Sequence, residues 1–240
     1  MNVKPKDRSK IGLWNRGVQV NIPDHASLRF GTDDLMVAFW VCNVLRASTC
    51  DATFKKTGGG PLFAVSRIGD ERFRLWMTDH LANAVDRDFW LNNEESAFIH
   101  IWVNRSTGYA DVYEDGALLL HGDFTAVVGN IDPTGSLTLH GDNFPNASEL
   151  LYLTLYDFGV GGLPSVADQS LIMSQHLSDP YTVPVGLADR AAYATEERLR
   201  VTFDNCDPGT VVIPDESTYA NNGALSAGTC ATALREYGSV

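Results

Sequence analysis

The segment Leu35–Leu45 constrains the fold of this chain more than any other part of its sequence. It is apolar on both faces over eleven positions, is rich in β-branched and aromatic residues, and follows the turn-forming sequence Gly31-Thr-Asp-Asp34. Such residues favour strands, and a strand that is apolar on both faces is typically buried on both. We therefore predict a central strand of a β-sandwich and not a helix.

Shorter stretches in which apolar and polar residues alternate predict further strands on both sides of this segment. Residues 18–22 alternate in this way until Pro23-Asp24 ends the run. More segments share this pattern and are bounded by turn-forming residues: 62–68, 73–78, 98–104, 110–114, 116–121, 136–140 and 150–158. Ser106-Thr-Gly108 and Asp115-Gly116 favour chain reversal at positive φ, so they predict an antiparallel meander of three strands.

A single short helix is predicted near residue 165. Ser165 can cap it, Asp168 lies beside its first free amides, and Asp179-Pro180 lies beyond its end. Its apolar side is formed by Val166, Ala167, Leu171 and Ile172. About ten short strands with one brief helix are typical of an all-β protein, and we predict a two-sheet antiparallel jelly-roll sandwich.

The charge of the chain limits its partners. Eighteen basic against thirty acidic residues give a formal net charge of -12. A field of this sign repels phosphate backbones, so we predict no nucleic-acid partner. No apolar run approaches the ~20 residues that cross a bilayer, and residues 1–10 lead into no apolar stretch of the signal-peptide kind. We therefore expect neither membrane insertion nor Sec-type export.

Residues 1–16 are predicted to be a basic flexible arm, because the first ten carry four Lys/Arg against one Asp and show no hydrophobic periodicity. The cations are Lys4, Lys6, Arg8 and Lys10, which alternate with Val3, Pro5, Asp7 and Ser9. On an acidic protein such an arm is either a solvated terminus or a strap that docks on an acidic partner surface.

The four cysteines are too few and too far apart for a disulfide scaffold, and no CxxC pair offers a zinc site. Two bridges, Cys42 to Cys50 and Cys206 to Cys230, are conceivable because each pair flanks a turn-rich segment. Without a signal peptide, however, we expect reduced thiols.

Five short motifs follow one another between Gly17 and Ile172. They are Val20-Asn-Ile-Pro23, Val37-Ala-Phe-Trp-Val41, Val112-Tyr-Glu-Asp-Gly116, Leu137-Thr-Leu-His-Gly141 and Leu153-Thr-Leu-Tyr-Asp157. In this order they resemble the LamG-like branch of the concanavalin A-like lectin and glucanase superfamily. The resemblance covers roughly two thirds of the chain and implies a LamG-like sandwich over residues 17–180, followed by a linker over 181–195.

The opening motifs of that family have their counterparts near the other end of this chain. They resemble Val201-Thr-Phe-Asp204, Asp215-Glu-Ser217 and Asn221-Asn-Gly-Ala-Leu225. Our hypothesis is that residues 196–240 supply the missing strands of the sandwich. They would do so in cis, as a circular permutation, or in trans, by adding to the sheet of a neighbouring subunit.

Catalytic motifs are absent from the sequence. The glucanases that this chain resembles carry E-x-D-x-x-E on one strand, and no such string, no H-E-x-x-H and no G-x-S-x-G occurs here. Residues 55–60, Lys-Lys-Thr-Gly-Gly-Gly, lack the order of a phosphate-binding loop and are predicted to be a flexible loop tip. His100 lies between Phe98 and Trp102 and is predicted to be a core histidine. We predict no enzymatic activity.

Two kinds of binding site are predicted. Aromatic faces stack on sugar rings, and Trp76, Trp90 and Tyr109 are candidates because they lie near loops or strand ends, whereas Trp40 and Trp102 lie in apolar strands and are predicted to be core residues. The resemblance also implies that calcium is possible at the loop rim. Its candidate oxygen ligands are Asp142, Asn143, Asp157, Asp204 and Asp207.

These observations predict a non-enzymatic structural or adhesive module. Small bacteriophage virion proteins resemble it, so the main prediction is a head decoration, cement or fibre protein that assembles in the host cytoplasm into a virion. Its partners would be other virion proteins and copies of itself, for example as a trimer. The alternative is a lectin-like module that recognises a cell-surface glycan.

Overall fold

Two antiparallel β-sheets packed face to face form the body of the chain. The structure is a computed structural model, and it describes residues 11–13, 18–42, 52–60, 62–69, 71–92, 96–139, 149–178 and 197–236. Within these ranges the predicted all-β, two-sheet antiparallel sandwich is confirmed.

Strands dominate the described part of the chain from end to end. The elements are β1 (Ile11–Leu13), β2 (Val20–Ile22), β3 (Asp34–Cys42), β4 (Ala52–Thr57), β5 (Leu62–Arg67), β6 (Arg72–Thr78), β7 (Ala84–Trp90), β8 (Ser96–Asn104), β9 (Tyr109–Glu114), β10 (Ala117–Asp123), β11 (Leu137–Leu139), β12 (Glu149–Gly159), α1 (Val166–Ser178), β13 (Glu197–Val201), β14 (Val212–Ile213), β15 (Gly223–Leu225), α2 (Cys230–Ala233) and β16 (Leu234–Glu236). Among the described residues, neither α-helix has both the length and the apolar character needed to cross a membrane.

The strands form two sheets of eight. In sheet A the order is β10-β9-β8-β3-β12-β1-β16, and β13 pairs with β12 on the same side as β1. In sheet B the order is β14-β15-β2-β11-β4-β5-β6-β7. The predicted central strand is β3, between β8 and β12, and the predicted meander is β8-β9-β10. Asp115 and Gly116, in the second turn of the meander, have φ angles of 49° and 83°, as their sequence predicts.

Strand β3 is buried on both faces because it contributes to two hydrophobic layers. Its inward side chains pack between the sheets, where the ring of Phe39 lies 5.9 Å, centroid to centroid, from that of Phe54 in sheet B. Its outward side chains, including Met36 and Trp40, pack with Ile172 of α1. Burying one such large apolar side chain contributes about 1.5–3 kcal/mol. Strand β3 therefore contributes side chains to both hydrophobic layers, and its predicted burial on both faces is confirmed.

Two buried histidines join α1 to the outer face of sheet A. The Nε2 atom of His100 in β8 lies 2.9 Å from Nδ1 of His176 in α1, and the two rings are stacked. Burial lowers the pKa of both imidazoles, helped for His176 by the charge of Arg200, and the pKa of His176 is lowered to about 3. Both rings are therefore neutral at pH 7. The prediction that His100 is a core histidine is confirmed.

Residues 197–236 add strands to both sheets. Strand β13 pairs with β12 in sheet A, and β15 pairs with β2 in sheet B, all within one chain. The side-chain amide of Asn221 donates to the carbonyl oxygen of Arg198 at 2.9 Å, which connects the two parts of this segment. At Gly223 a Cβ atom would lie 2.5 Å from Cγ1 of Val20, so the close approach of β15 to β2 requires glycine.

Strand β1 differs from the predicted basic arm over residues 1–16. Residues 11–13 pair with both β12 and β16 at one side of sheet A, because the extended segment satisfies the hydrogen bonds of both neighbours. The arm cations Lys4, Lys6, Arg8 and Lys10, the predicted linker over 181–195 and the Cys50 residue all lie outside the described residues.

Sequence analysis misses two strands of sheet B, β4 and β7. The predicted flexible loop tip over residues 55–60 is wrong for its first half, since Lys55 pairs with Ala64 and Lys56 with Phe63 in the β4–β5 ladder. Lys56 points into the sandwich and is 1% exposed. Its ammonium group donates to the Asp24 carboxylate at 2.7 Å and to the Pro133 carbonyl at 2.5 Å. Two adjacent lysines conceal the alternation that would have indicated a strand.

We expect Lys56→Met to lower the free energy of unfolding by about 2–4 kcal/mol, because it removes a buried cation from its carboxylate and carbonyl acceptors. Lys55→Met is the matched control. Its side chain is exposed on the opposite face, so the change should stay below about 0.5 kcal/mol. Urea unfolding at neutral pH measures both, and equal effects would contradict the inward position of Lys56.

Acid should destabilise the fold through the buried histidine pair. Both imidazoles have a folded pKa below the unfolded value of about 6.5, so the unfolded chain binds more protons as the pH falls below that value. The free energy of unfolding should decrease by about 1.4 kcal/mol per pH unit for each ring. For His176 the loss continues until the pH approaches its folded pKa of about 3.

Unfolding curves measured between about pH 6.5 and about pH 5 test this dependence. His176→Leu should reduce the slope of the free energy of unfolding against pH by roughly 1.4 kcal/mol per pH unit, which is the contribution of one titrating group. His25→Gln, at an exposed position, is the control substitution. An unaltered slope in His176→Leu would show that the pair does not control acid stability.

Candidate functional site

The outer face of the β6–β7 hairpin, in sheet B, presents two tryptophans to solvent. Phe73 and Phe89 point inward and stack in the core at 5.7 Å between ring centroids. Because successive side chains of a strand point to opposite faces, the intervening residues point outward. They are Arg72, Arg74, Trp76 and Thr78 of β6 and Ala84, Asp86, Asp88 and Trp90 of β7. We call this surface the hairpin face.

The antiparallel register decides which of these side chains are neighbours. Arg72 lies opposite Trp90, Arg74 opposite Asp88, and Trp76 opposite Asp86. Arg72 and Trp76 are four residues apart on one strand. At about 3.3 Å per residue, the two tryptophan positions therefore lie about 13 Å apart along the strands, with charged side chains between them.

Asp88 holds both arginines of the hairpin face. The Arg74 Nε donates to Oδ1 of Asp88 at 2.7 Å, and the Arg72 Nε donates to Oδ2 at 3.0 Å. The hydrogen bond from Arg74 lowers the pKa of Asp88; burial opposes this effect, and Arg72 adds to it. Asp86 lies 3.1 Å from Nε of Arg74. The carboxylates and guanidinium groups are thus held in position by one another.

The two indole groups differ in their surroundings. Trp90 is 56% exposed, and the guanidinium carbon of Arg72 lies 5.2 Å from its ring centroid, as in a cation–π contact. Trp76 is 42% exposed and lies in register between Ala64 of β5 and Asp86 of β7. Each tryptophan keeps a large apolar surface in contact with solvent.

Trp40 and Trp102 are buried, as predicted, at 2% exposure each. Of the three predicted aromatic candidates, Trp76 and Trp90 are brought to one surface and Tyr109 is not. Tyr109 lies on β9 of sheet A, is 36% exposed, and stacks on His121 with 4.7 Å between ring centroids. It belongs to a different surface from the hairpin face.

The charged residues of the hairpin face are missing from the sequence-based prediction. They could have been found from the alternation of residue types within two segments, Arg72-Phe-Arg-Leu-Trp76 and Asp86-Arg-Asp-Phe-Trp90. Both segments place charged and aromatic side chains on one face. Their pairing depends on the register of the hairpin, which the sequence leaves open.

Of the predicted calcium ligands, Asp157, Asp204 and Asp207 lie among the described residues, so a shared calcium site stays a prediction. Asp157 is 5% exposed and lies 3.2 Å from a terminal nitrogen of Arg198. Burial, and then the charge of Asp157, raises the pKa of Asp33. Asp142 and Asn143 lie outside the described residues. In the ranges that are described, no group of three His, Cys, Asp or Glu residues could hold a metal ion.

No protein-family model matches the chain, and no curated protein matches it in sequence. Among solved structures, a candidate carbohydrate-binding protein from Bacteroides ovatus ATCC 8483 aligns over 97% of this chain and 61% of that one, with a TM-score of 0.63 and 13% identity. The ligand-binding domain of botulinum neurotoxin serotype D, solved with N-acetylneuraminic acid, aligns over 69% of this chain and 42% of that one, with a TM-score of 0.54 and 12% identity.

A second structure of the serotype D binding domain aligns over 69% of this chain and 43% of that one, with a TM-score of 0.53 and 13% identity. The chain therefore spans less than two thirds of each of these proteins. At this level of identity the likeness shows the fold alone, which is the concanavalin A-like β-sandwich. Assignment to its LamG-like branch stays a prediction. None of the three proteins is described as part of a virion.

We expect Asp88→Ala to lower the free energy of unfolding by about 1–2 kcal/mol, because it leaves two partly buried guanidinium groups without their shared acceptor. Asp86→Ala is the control on the same face. Its side chain is half exposed, so the loss should stay below about 0.5 kcal/mol. Urea unfolding distinguishes the two, and a larger loss for Asp86→Ala would contradict the central position of Asp88.

Proposed function

We propose that this chain is a carbohydrate-binding, lectin-like module and that the hairpin face is its binding site. The observation that carries the proposal is the pair of exposed tryptophans on one face, about 13 Å apart along the strands, with fixed charged groups between them. Exposed tryptophans in a monomeric protein are unusual enough to suggest a contact surface.

The chemistry of this surface suits a sugar chain. Indole rings offer flat apolar faces on which the C–H groups of a pyranose ring can pack. Between them, Asp86 and Asp88 can accept hydrogen bonds from hydroxyl groups, and Arg74 can donate to ring or glycosidic oxygens. Because ion pairs already order these side chains, little conformational entropy is lost on binding.

The same electrostatics support a non-catalytic role. A retaining or inverting glycosidase needs a carboxylic acid with a raised pKa to protonate the leaving oxygen. On the hairpin face the pKa of Asp88 is lowered instead. The hydrogen bond from Arg74 is the largest cause, burial opposes it, and the hydrogen bond from Arg72 adds to the lowering. Asp88 therefore stays an acceptor at neutral pH, as a binding site requires.

The structural relatives support a lectin-like function more than a role as a virion component. One is a candidate carbohydrate-binding protein, and another was solved with a bound sialic acid. The predictions of a virion component, of a homo-oligomer and of assembly in the host cytoplasm have no counterpart among them and stay predictions.

Trp76→Ala and Trp90→Ala should each weaken glycan binding about five- to thirtyfold, which corresponds to about 1–2 kcal/mol. The wild-type chain is first probed on an array of animal, plant and bacterial oligosaccharides. Titration calorimetry with the best-bound oligosaccharide then compares the variants. Because both indoles are exposed, neither substitution should shift the melting temperature appreciably.

Tyr109→Ala is the matched control, since it removes an exposed aromatic side chain from the other sheet. It should bind the same oligosaccharide with wild-type affinity. The proposal fails if the wild-type chain binds no glycan, or if Tyr109→Ala loses binding while both tryptophan variants keep it.

A further inference from the structure

Two segments near the end of the chain are bound together around a pair of cysteines. Cys206 lies in the loop between β13 and β14, and Cys230 is the first residue of α2. The backbone amide of Cys230 donates to the carbonyl of Thr210 at 2.9 Å, and that of Ala231 donates to the carbonyl of Pro208 at 3.1 Å. These bonds hold the Cys206 loop against the start of α2.

The two cysteine side chains lie at the same hydrophobic core. Both residues are thiols in this structure; Cys230 is buried and Cys206 partly buried. Cys230 belongs to the hydrophobic core between the sheets, and Cys206 packs against that core. The thiol of Cys230 also donates to the carbonyl oxygen of Val212 at 3.6 Å. A disulfide requires two cysteine side chains to approach each other, and the backbone hydrogen bonds hold the two segments that carry them together.

The chemistry of the pair favours a lasting bond over a reversible one. Burial, followed by the neighbouring Cys230, raises the pKa of the Cys206 thiol to about 12. A sulfur of high pKa is a poor leaving group in thiol–disulfide exchange, so a disulfide formed from it resists reduction. A buried thiol of this kind is also a poor redox sensor, because little thiolate is present at neutral pH.

We propose that Cys206 and Cys230 form a structural disulfide when the chain folds under oxidising conditions. The oxidant is a small-molecule disulfide such as oxidised glutathione. Before burial is complete, the Cys206 thiolate attacks one glutathione sulfur and releases a glutathione thiolate. The Cys230 thiolate then attacks the Cys206 sulfur of the mixed disulfide and releases the second. One S–S bond breaks and one forms, and the two cysteine protons pass to the two glutathione thiolates.

The bond would tie the last strands of sheet B to the rest of the sandwich. It closes the loop from residue 206 to residue 230, which contains β14 and β15. Cross-linking a loop of this length restricts the unfolded chain and so favours the folded state. It also implies maturation in an oxidising compartment, in contrast to the reduced thiols that the sequence predicts.

The test is to refold the full chain in a glutathione redox buffer and map its disulfides by mass spectrometry after digestion without reductant. We expect a peptide pair linked through Cys206 and Cys230. The oxidised protein should melt roughly 5 to 10 °C above the same protein kept in reductant. Cys206→Ser and Cys230→Ser should each abolish both the linked peptides and this difference.

The double variant Cys42→Ser, Cys50→Ser is the matched control. It should keep both the linked peptides and the difference in melting temperature. The proposal is overturned if, after refolding, Cys206 and Cys230 of the wild-type chain are both alkylated in denaturant without reductant. It is equally overturned if either of them is found linked to another cysteine. These measurements on the wild-type chain stand even if a serine variant fails to fold.

Discussion

The double-sided burial of β3 is the constraint on which the rest of the structure depends. A strand that is apolar on both faces needs a second sheet on one side and another cover on the other. Sheet B covers the inward face of β3, where Phe39 packs, and α1 covers the outward face, where Trp40 packs. With α1 on the outer face of sheet A, the exposed tryptophans lie on the outer face of the other sheet.

The hairpin face illustrates how a sheet can order an exposed polar and aromatic surface without loops. Cross-strand pairing sets each charged side chain opposite its partner, and the shared carboxylate of Asp88 holds two guanidinium groups at once. Individually such surface ion pairs add little stability. Their effect is positional, because they hold polar groups at known points between two indole rings. The proposed sugar site therefore rests on strands and not on mobile segments.

Local sequence patterns predict much of the core but fewer of its polar contacts. The run at residues 35–45 predicts β3, and Asp115-Gly116 predicts the turn of the meander, because both depend on residue type alone. The inward Lys56 and the partner of His100 are different. Lys56 is stable inside only because Asp24 and the carbonyl of Pro133 reach it from distant parts of the chain, and His100 meets His176 across 76 residues. No window of the sequence contains both members of such pairs.

By itself the sequence determines the class of fold, the central strand, the hairpin turns and the aromatic candidates Trp76 and Trp90. These follow from alternation, turn chemistry and residue type, which are local. Tertiary structure alone decides that the two tryptophans share one face while Tyr109 lies on the other sheet, and that β13 pairs with β12 while β15 pairs with β2. The reason is that strand order and register arise from hydrogen bonds between segments far apart in the chain, and only the folded backbone brings those segments together.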